Sequence, residues 1–356
     1  MRTIALTLSV LLAAVACGGE QQSGDARSSS GIDLNGAGAT FPYPIYSKWF
    51  LDYAAETGVK INYQSIGSGG GIRQFSEGVV DFGASDGPMT DEEMSRTRHG
   101  AVLHFPAVLG ADVVVYNLPE VTVPLRLDGQ VLADIFMGRI TRWNDPRIAV
   151  LNSTVSLPDR DILVAHRSDG SGTTYIFTDY LATVSPAWTV EGGGPGRGKE
   201  VSWPVGLGGK GNEGVTGLVK QTPGSVGYVE LAYARQNSLQ VAHIRNQDGH
   251  FVEPSAASIT AAAEGAIRDL APDTDYRLSI VNAAGADAYP ISSFTWLLVY
   301  ETAPDPAKGR KLVDFLRWMY SKGQTSAAAL DYAPLPPSLV ERLTARLAEI
   351  NVGATP

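Results

Sequence analysis

Between residues 36 and 58 the apolar residues Tyr46, Trp49, Phe50, Tyr53 and Ala54 recur at i, i+3, i+4, i+7 and i+8, the stripe of an amphipathic helix. Pro42 and Pro44 suit its first turn, where a missing N–H costs nothing, and Gly58 ends it. Thr40, just ahead, is a good N-cap, and Gly36 and Gly38 let backbone approach something closely. The period drops to two in Val59, Ile61 and Tyr63, which predicts a strand. Gly67-Ser68-Gly69-Gly70-Gly71 then predicts a turn and Ile72 to Glu77 a short helix. Val79 to Gly83 reads as a second strand, running into Ala84-Ser85-Asp86-Gly87-Pro88. Much further on, Ile162 to Ala165 predicts a strand, RSDGSGT (167–173) a turn, and Tyr175 to Leu181 a helix. Ser171 or Thr173 can cap that helix, and Gly172 permits close backbone approach. Val113 to Val115 and Ser293 to Tyr300 also have strand character, whereas Gly206 to Asn212 reads as a long glycine-rich surface loop.

Each of these strand-to-helix turns is common alone. Three of them, all rich in Gly, Ser and Thr, are less so. In α/β sheets ligands sit beyond the carboxyl ends of the strands, so the three turns can converge. A helix N-terminus favours an anion by roughly 0.3–1 kcal/mol, more when partly buried. The second turn lacks the Lys-Ser/Thr of a nucleotide P-loop and the GxGxxG spacing of a dinucleotide site, which leaves room for something smaller.

The charges refine that picture without closing it. Arg167 offers a fork that matches two oxygens of a tetrahedral oxyanion, and Asp169 stands where it can hold the guanidinium. The same pair also fits a surface ion pair contributing under about 1 kcal/mol. Asp86 is either a turn residue in an Asp-Gly-Pro corner or something more selective. An anion site should exclude a carboxylate unless the anion carries a proton for it to accept. Phosphate does so near neutral pH and sulfate does not, so one buried Asp can discriminate between them.

The chain begins with Arg2 and an apolar run of about 13 residues, Ile4 to Ala16, too short for the roughly 20 residues of a spanning helix but suited to a secretory signal. Ala14-Val15-Ala16-Cys17 resembles the lipobox of bacterial lipoproteins, although Leu is missing three positions before the cysteine. Cys17 is the only cysteine, so no internal disulfide can form, and a thioether-linked lipid (with palmitate among the acyl groups) accounts for its presence. Residues 18–31 are Gly/Ser-rich and polar, a flexible tether. The expectation is a signal peptide at 1–16, a lipidated Cys17 with its tether through 31, and an exported domain at the periplasmic or extracytoplasmic face of a membrane. From Ile32 about 320 residues remain, enough for two lobes with separate cores. The formal charge of −9 argues against nucleic acid and against an anionic membrane face as partners. Any anion must therefore be held by a local site.

GAGATFPYPIYSKW (36–49), YQSIGSGGGIRQF (63–75), VDFGASDGPM (80–89), HRSDGSGTTYIFTDYL (166–181), WPVGLGGKGNEGV (203–215) and GSVGYVELAYA (224–234) together resemble the phosphate-binding proteins of bacterial phosphate-specific ABC transporters. The resemblance runs in order from about Leu34 to Asn351, with DYAPLP (331–336) matching near the end. It implies an α/β fold of the type II periplasmic-binding-protein class: two α/β lobes, a ligand cleft and two crossing segments. Lobe 1 would hold 32–106 plus 287–352 and lobe 2 107–286, with a crossing near Leu109-Gly110. The positions that match the family's phosphate site are Thr40, Phe41, Ser68, Asp86, Arg167, Ser171, Gly172 and Thr173, with Asp169 orienting the arginine. In that family hydroxyls and backbone N–H groups donate to phosphate oxygens and the Asp accepts the phosphate's proton. Gly69 departs from relatives that carry a second Ser there, and Lys210 is not expected to be a ligand. The resemblance further implies inorganic phosphate as ligand, membrane permease subunits as partners, no cofactor, no metal and a monomer.

The main rival is a phosphate-ester hydrolase with Ser68 or Ser171 as nucleophile. Such an enzyme needs metal ligands or a poised base. His99, His104, His166, His243 and His250 show no ligand spacing, and His166, though beside Arg167, is expected to point away. No enzyme activity is therefore expected. Sulfate or molybdate binding is the second rival, against which Asp86 argues, and a transporter-free phosphate sensor is the third.

Overall fold

The computed structural model describes residues 33–353 apart from 269, 272 and 273, so the expected signal segment, Cys17 and the tether lie outside the described residues. Its main sheet is built from nine strands: β1 (Leu34–Gly38), β2 (Ile61–Ser65), β3 (Phe82–Ser85), β4 (Val102–Tyr116), β5 (Leu163–Arg167), β6 (Leu207–Gly209), β7 (Ser225–Glu230), β8 (Gln240–Val241) and β9 (Ser292–Tyr300). The spatial order is β2-β1-β3-β9-β4-β7-β5-β6, with β8 beside β4. β1 pairs in parallel with β2 and β3, and β5 in parallel with β6 and β7. β9 runs antiparallel to β3 and β4, and β4 antiparallel to β7. A small second sheet joins Arg126–Leu127, His243–Arg245 and Phe251–Val252.

β4 is the shared element. Val102 to Ala111 pair with β9, and Asp112 to Tyr116 pair with β7 and β8, so one 15-residue strand runs through both halves of the sheet. All but its first residue are buried, which explains why it reads as a nearly unbroken apolar run. The expected crossing at Leu109-Gly110 thus lies inside a continuous strand. Val113 to Val115 is its second half rather than a strand of its own.

Each half has its own aromatic packing. In the first, Phe50 from α1 (Tyr43–Thr57) meets Tyr46, Tyr63, Phe82 and Phe315 at centroid distances of 5.7, 5.8, 6.3 and 5.5 Å. In the second, Tyr228 stacks on Phe177 at 4.5 Å and meets Phe136 and Trp203 at 6.0 and 5.7 Å. Such pairs contribute about 0.5–1.5 kcal/mol each beyond the area they bury. Together these clusters and the shared strand make a two-lobe α/β fold. Among the described residues no helix is long and apolar enough to cross a membrane.

The predicted elements mostly recur with shifted ends. α1 ends on Gly58 in the left-handed conformation (φ +75°), as its sequence predicts. α2 is Ser68–Ser76, so the glycine run forms the first turn of a helix rather than preceding one. The strand expected from Val79 begins at Phe82, because Val79 is exposed and only Phe82 to Ser85 join the sheet. α3 is Gly172–Val184. The expected loop at 206–212 is instead β6 followed by α4 (Gly211–Gln221), a fourth strand-to-helix turn.

Candidate functional site

The first turn leaves β1 and enters α1. Thr40 does not cap that helix: the N-cap is Pro42, with no side-chain bond. The Thr40 hydroxyl oxygen instead accepts from the Asn212 backbone N–H at 3.2 Å and from its side-chain amide at 2.8 Å. The carbonyls of Thr40 and Phe41 accept from the Tyr233 and Tyr332 hydroxyls, each at 2.7 Å. Phe41 packs its ring against Gly110, where a Cβ would fall 2.4 Å from it. The turn is thus clamped from behind, while the N–H groups of Thr40 and Phe41 bond to nothing else among the described residues.

The second turn leaves β2 through Gly67, whose φ of +87° favours glycine. A Cβ there would also fall 2.2 Å from Asp169 Oδ2. Ser68 opens α2, and its hydroxyl oxygen accepts from the Asp86 N–H at 3.2 Å. Gly69, the departure from relatives, donates its N–H to the Gly170 carbonyl at 2.8 Å and so joins the second turn to the third.

The third turn leaves β5. Arg167 is 4% exposed and held by Asp169 at two points, Nε to Oδ1 at 2.8 Å and Nη2 to Oδ2 at 2.5 Å. Its Nη1 donates to the Thr173 hydroxyl at 3.2 Å. One N–H remains on each terminal nitrogen, the fork that matches an oxyanion. A surface ion pair is therefore not what this pair forms. Asp169 is itself fixed by the Gly211 N–H at 3.0 Å. Ser171 caps α3, accepting from the Thr174 N–H at 3.0 Å. Gly172 and Thr173 leave their N–H groups unpaired among the described residues. A Cβ on Gly172 would fall 2.5 Å from Ser68 Oγ and 2.6 Å from the Asp86 backbone nitrogen, so only glycine lets the two turns meet.

Asp86 follows β3 and is 1% exposed. Its turn is held by Ser85, which accepts the Gly87 N–H, while the Asp86 carboxylate takes the Thr295 hydroxyl at 2.7 Å and lies 3.4 Å from the Ser68 hydroxyl. The carboxylate therefore faces Thr295 and Ser68 rather than capping the corner. Burial pushes its pKa up from 3.8 to about 7, against the opposing effects of the Thr295 hydrogen bond, the Arg167 charge and the Ser68 hydrogen bond.

All eight expected site residues and Asp169 thus gather in one place. Sequence reasoning missed Asn212 and Thr295. Asn212 follows Gly206-Leu207-Gly208-Gly209-Lys210-Gly211, the glycine signal used for the other turns, but its three-residue strand is too short for a period of two to register. Thr295 sits inside β9, where the pairing with β4 shifts register, and a hydroxyl in a buried strand gives no signal in one sequence. Lys210 is exposed at the head of α4, and His166 stacks on Trp203 at 5.0 Å and faces its ring nitrogen to the Arg167 carbonyl. Neither joins the cluster. Among the described residues no group of three or more His, Cys, Asp and Glu is arranged to hold a metal ion. What remains is a set of unpaired N–H groups, hydroxyls and a guanidinium around one lone carboxylate. Such an arrangement of donors and one acceptor suits an oxyanion bearing a proton.

A fold of two α/β halves around such a cleft is that of the solute-binding proteins, and residues 20–322 match the model of the PBP superfamily domain. The phosphate-binding protein PstS of Pasteurella multocida is 47% identical over 316 residues, covering 88% of this chain and 89% of its own. PstS of Xylella fastidiosa (strain Temecula1) is 46% identical over 321 residues, 90% of this chain and 86% of its own. The chain belongs to the PstS family of phosphate-binding proteins. Two solved structures share its fold at low identity. One is a high-affinity periplasmic phosphate-binding protein bound with phosphate (TM-score 0.70, 22% identical, covering 88% of this chain and 93% of that one). The other is the phosphate-binding protein of Stenotrophomonas maltophilia (TM-score 0.69, 20% identical, covering 88% and 93%).

Proposed function

We propose that this protein binds inorganic phosphate in the cleft and delivers it to the permease of a phosphate ABC transporter for import. The observation that carries the reading is the pairing of many unsatisfied donors with one buried acceptor. The N–H groups of Thr40, Phe41, Ser68, Gly172 and Thr173 have no other partner among the described residues, and Arg167 has two N–H groups to spare. Hydroxyls of Thr40, Ser68, Ser171 and Thr173 complete the donor set. Asp86 accepts the proton of HPO₄²⁻, and Asp169 holds the arginine. Sulfate, which has no proton to offer, would face Asp86 as an unpaired buried charge.

Lobe 1 is 32–106 plus 287–352 and lobe 2 is 107–286, with capture by closure of one on the other. Thr40, Phe41, Ser68 and Asp86 come from lobe 1, and Arg167, Ser171, Gly172 and Thr173 from lobe 2, so ligand and closure stabilise each other. The protein acts as a monomer and carries out no chemistry on its ligand. The Ser171 hydroxyl is committed to the Thr174 N–H, and the only base beside Ser68 among the described residues is Asp86, whose Oδ2 lies 3.4 Å away and is reserved in this reading for the ligand's own proton. It is exported and anchored at the membrane surface through a lipid on Cys17, and a Cys17→Ser variant should be released from membranes.

Calorimetric titration of the exported domain with phosphate, arsenate and sulfate tests the reading. Strong heats from phosphate and arsenate with none from sulfate are expected, and absence of phosphate binding would overturn it.

A further inference from the structure

Asn212 is fully buried, and all of its polar atoms are committed. Its Oδ1 accepts the Glu230 backbone N–H at 2.8 Å, which fixes which end of the amide is oxygen and which is nitrogen. Its Nδ2 must then face the other way, where it donates to the Thr40 hydroxyl oxygen at 2.8 Å and to the Thr173 hydroxyl oxygen at 3.2 Å. Those two residues belong to different turns, and under the proposed lobe boundaries to different lobes.

A threonine hydroxyl has two lone pairs and one hydrogen. The Thr40 oxygen accepts twice, from the Asn212 backbone N–H and from Nδ2. The Thr173 oxygen also accepts twice, from Nδ2 and from Arg167 Nη1. Neither oxygen has a lone pair left, and neither hydroxyl hydrogen has an acceptor among the described residues. Both are buried, at 3% and 0% exposure, so water is not freely available to take them. Each hydroxyl can only donate, and only to something in the cleft.

We infer that Asn212 is a positioning residue that locks the hydroxyls of Thr40 and Thr173 as obligate donors toward the bound anion while tying the two lobes together. The inference deepens the phosphate-binding reading and rests on it. With these two hydroxyls unable to accept, the Asp86 carboxylate is the one charged acceptor left free to take the ligand's proton, so Asn212 contributes to selecting the protonation state as well as to affinity. A free hydroxyl would rotate and present a lone pair to the anion part of the time, and the locked one does not.

The test is a double-mutant comparison on the exported domain, read by phosphate titration. Asn212→Ala should weaken phosphate binding about tenfold or more, the worth of one or two oriented hydrogen bonds. In a Thr40→Val/Thr173→Val background, where no hydroxyl remains to orient, the same substitution should cost about twofold or less, because interacting sites are not additive. A merely structural role predicts the same loss in both backgrounds and would overturn the inference. If the combined variant does not fold, the side-chain amide of Asn212 in the wild type answers instead. Its two protons should shift in NMR spectra on phosphate addition and stay protected from solvent exchange, and free exchange in the phosphate-bound protein would sink the idea. Failure of the wild type to bind phosphate would remove the underlying reading. Wild-type binding with an undiminished Asn212→Ala variant would remove only the role of Asn212.

Discussion

Thr295 donates its hydroxyl to Asp86 Oδ1 at 2.7 Å, from the point in β9 where the pairing with β4 shifts register. One carboxylate oxygen is therefore occupied from behind. The other, Oδ2, faces Ser68 at 3.4 Å, a long contact that a better donor can displace. The hydrogen of a protonated phosphate oxygen is such a donor. Replacing Asp86 by Asn puts an amide there, which accepts less well and no longer repels sulfate. Asp86→Asn should lose phosphate affinity and gain measurable sulfate binding, narrowing selectivity by at least about tenfold. Competition titrations check this, and unchanged selectivity would contradict the proton-acceptor role.

The same burial sets a pH dependence in the ligand-free protein. Asp86 titrates near 3.8 when unfolded and near 7 when folded. Between those values the folded state holds the proton more tightly, so stability falls as pH rises, by as much as roughly 4 kcal/mol once both limits are passed. Asparagine cannot ionise. The phosphate-free Asp86→Asn variant should thus melt higher than the wild type at pH 8, with the gap shrinking toward pH 4. A gap that does not vary with pH would contradict the assignment.

Gly172 tests convergence of the turns without touching a charge. Its added Cβ would sit 2.5 Å from Ser68 Oγ and 2.6 Å from Asp86 N, contacts that no packed structure tolerates. The head of α3 must back away from α2, carrying the N–H groups of Gly172 and Thr173 with it. Losing two such bonds at about 1–1.5 kcal/mol each corresponds to binding weakened roughly thirtyfold to somewhat over a hundredfold. Gly172→Ala should show that loss by titration while its circular dichroism stays that of the wild type.

The site was more legible than the fold around it. Glycine, serine and threonine at the head of a helix follow from local chemistry, so the turns at Thr40, Ser68 and Ser171 could be read along the chain. What joins them could not. Asn212 bonds Thr40 across 172 residues and Thr295 bonds Asp86 across 209, and no local pattern encodes either partnership. Thr40 looked like an N-cap because its residue type and position suit one, yet Pro42 holds that place and frees the hydroxyl for the cleft. β4 hid the lobe crossing for a similar reason. A strand buried on both faces has no alternation to mark where one pairing partner gives way to the next.

Asp112 carries a last prediction, one about stability. It lies where β4 passes from pairing with β9 to pairing with β7, fully buried and directly opposite Glu230, and neither of its carboxyl oxygens has a hydrogen-bond partner among the described residues. Burial pushes its pKa well above the ordinary carboxylate range, with the Arg167 charge opposing and the Glu230 and Asp86 carboxylates adding to the rise. Burial thus favours the neutral acid, which still buries two polar atoms without a hydrogen-bond partner among the described residues. Valine has nearly the same volume, suits a strand and leaves nothing unpaired. Asp112→Val should stabilise the phosphate-free protein by about 1–3 kcal/mol, the cost of unsatisfied buried polar groups. Denaturant unfolding measures it. A loss of stability would instead mean that Asp112 shares a proton with Glu230, and that the pair holds β4 to β7 at the back of the cleft.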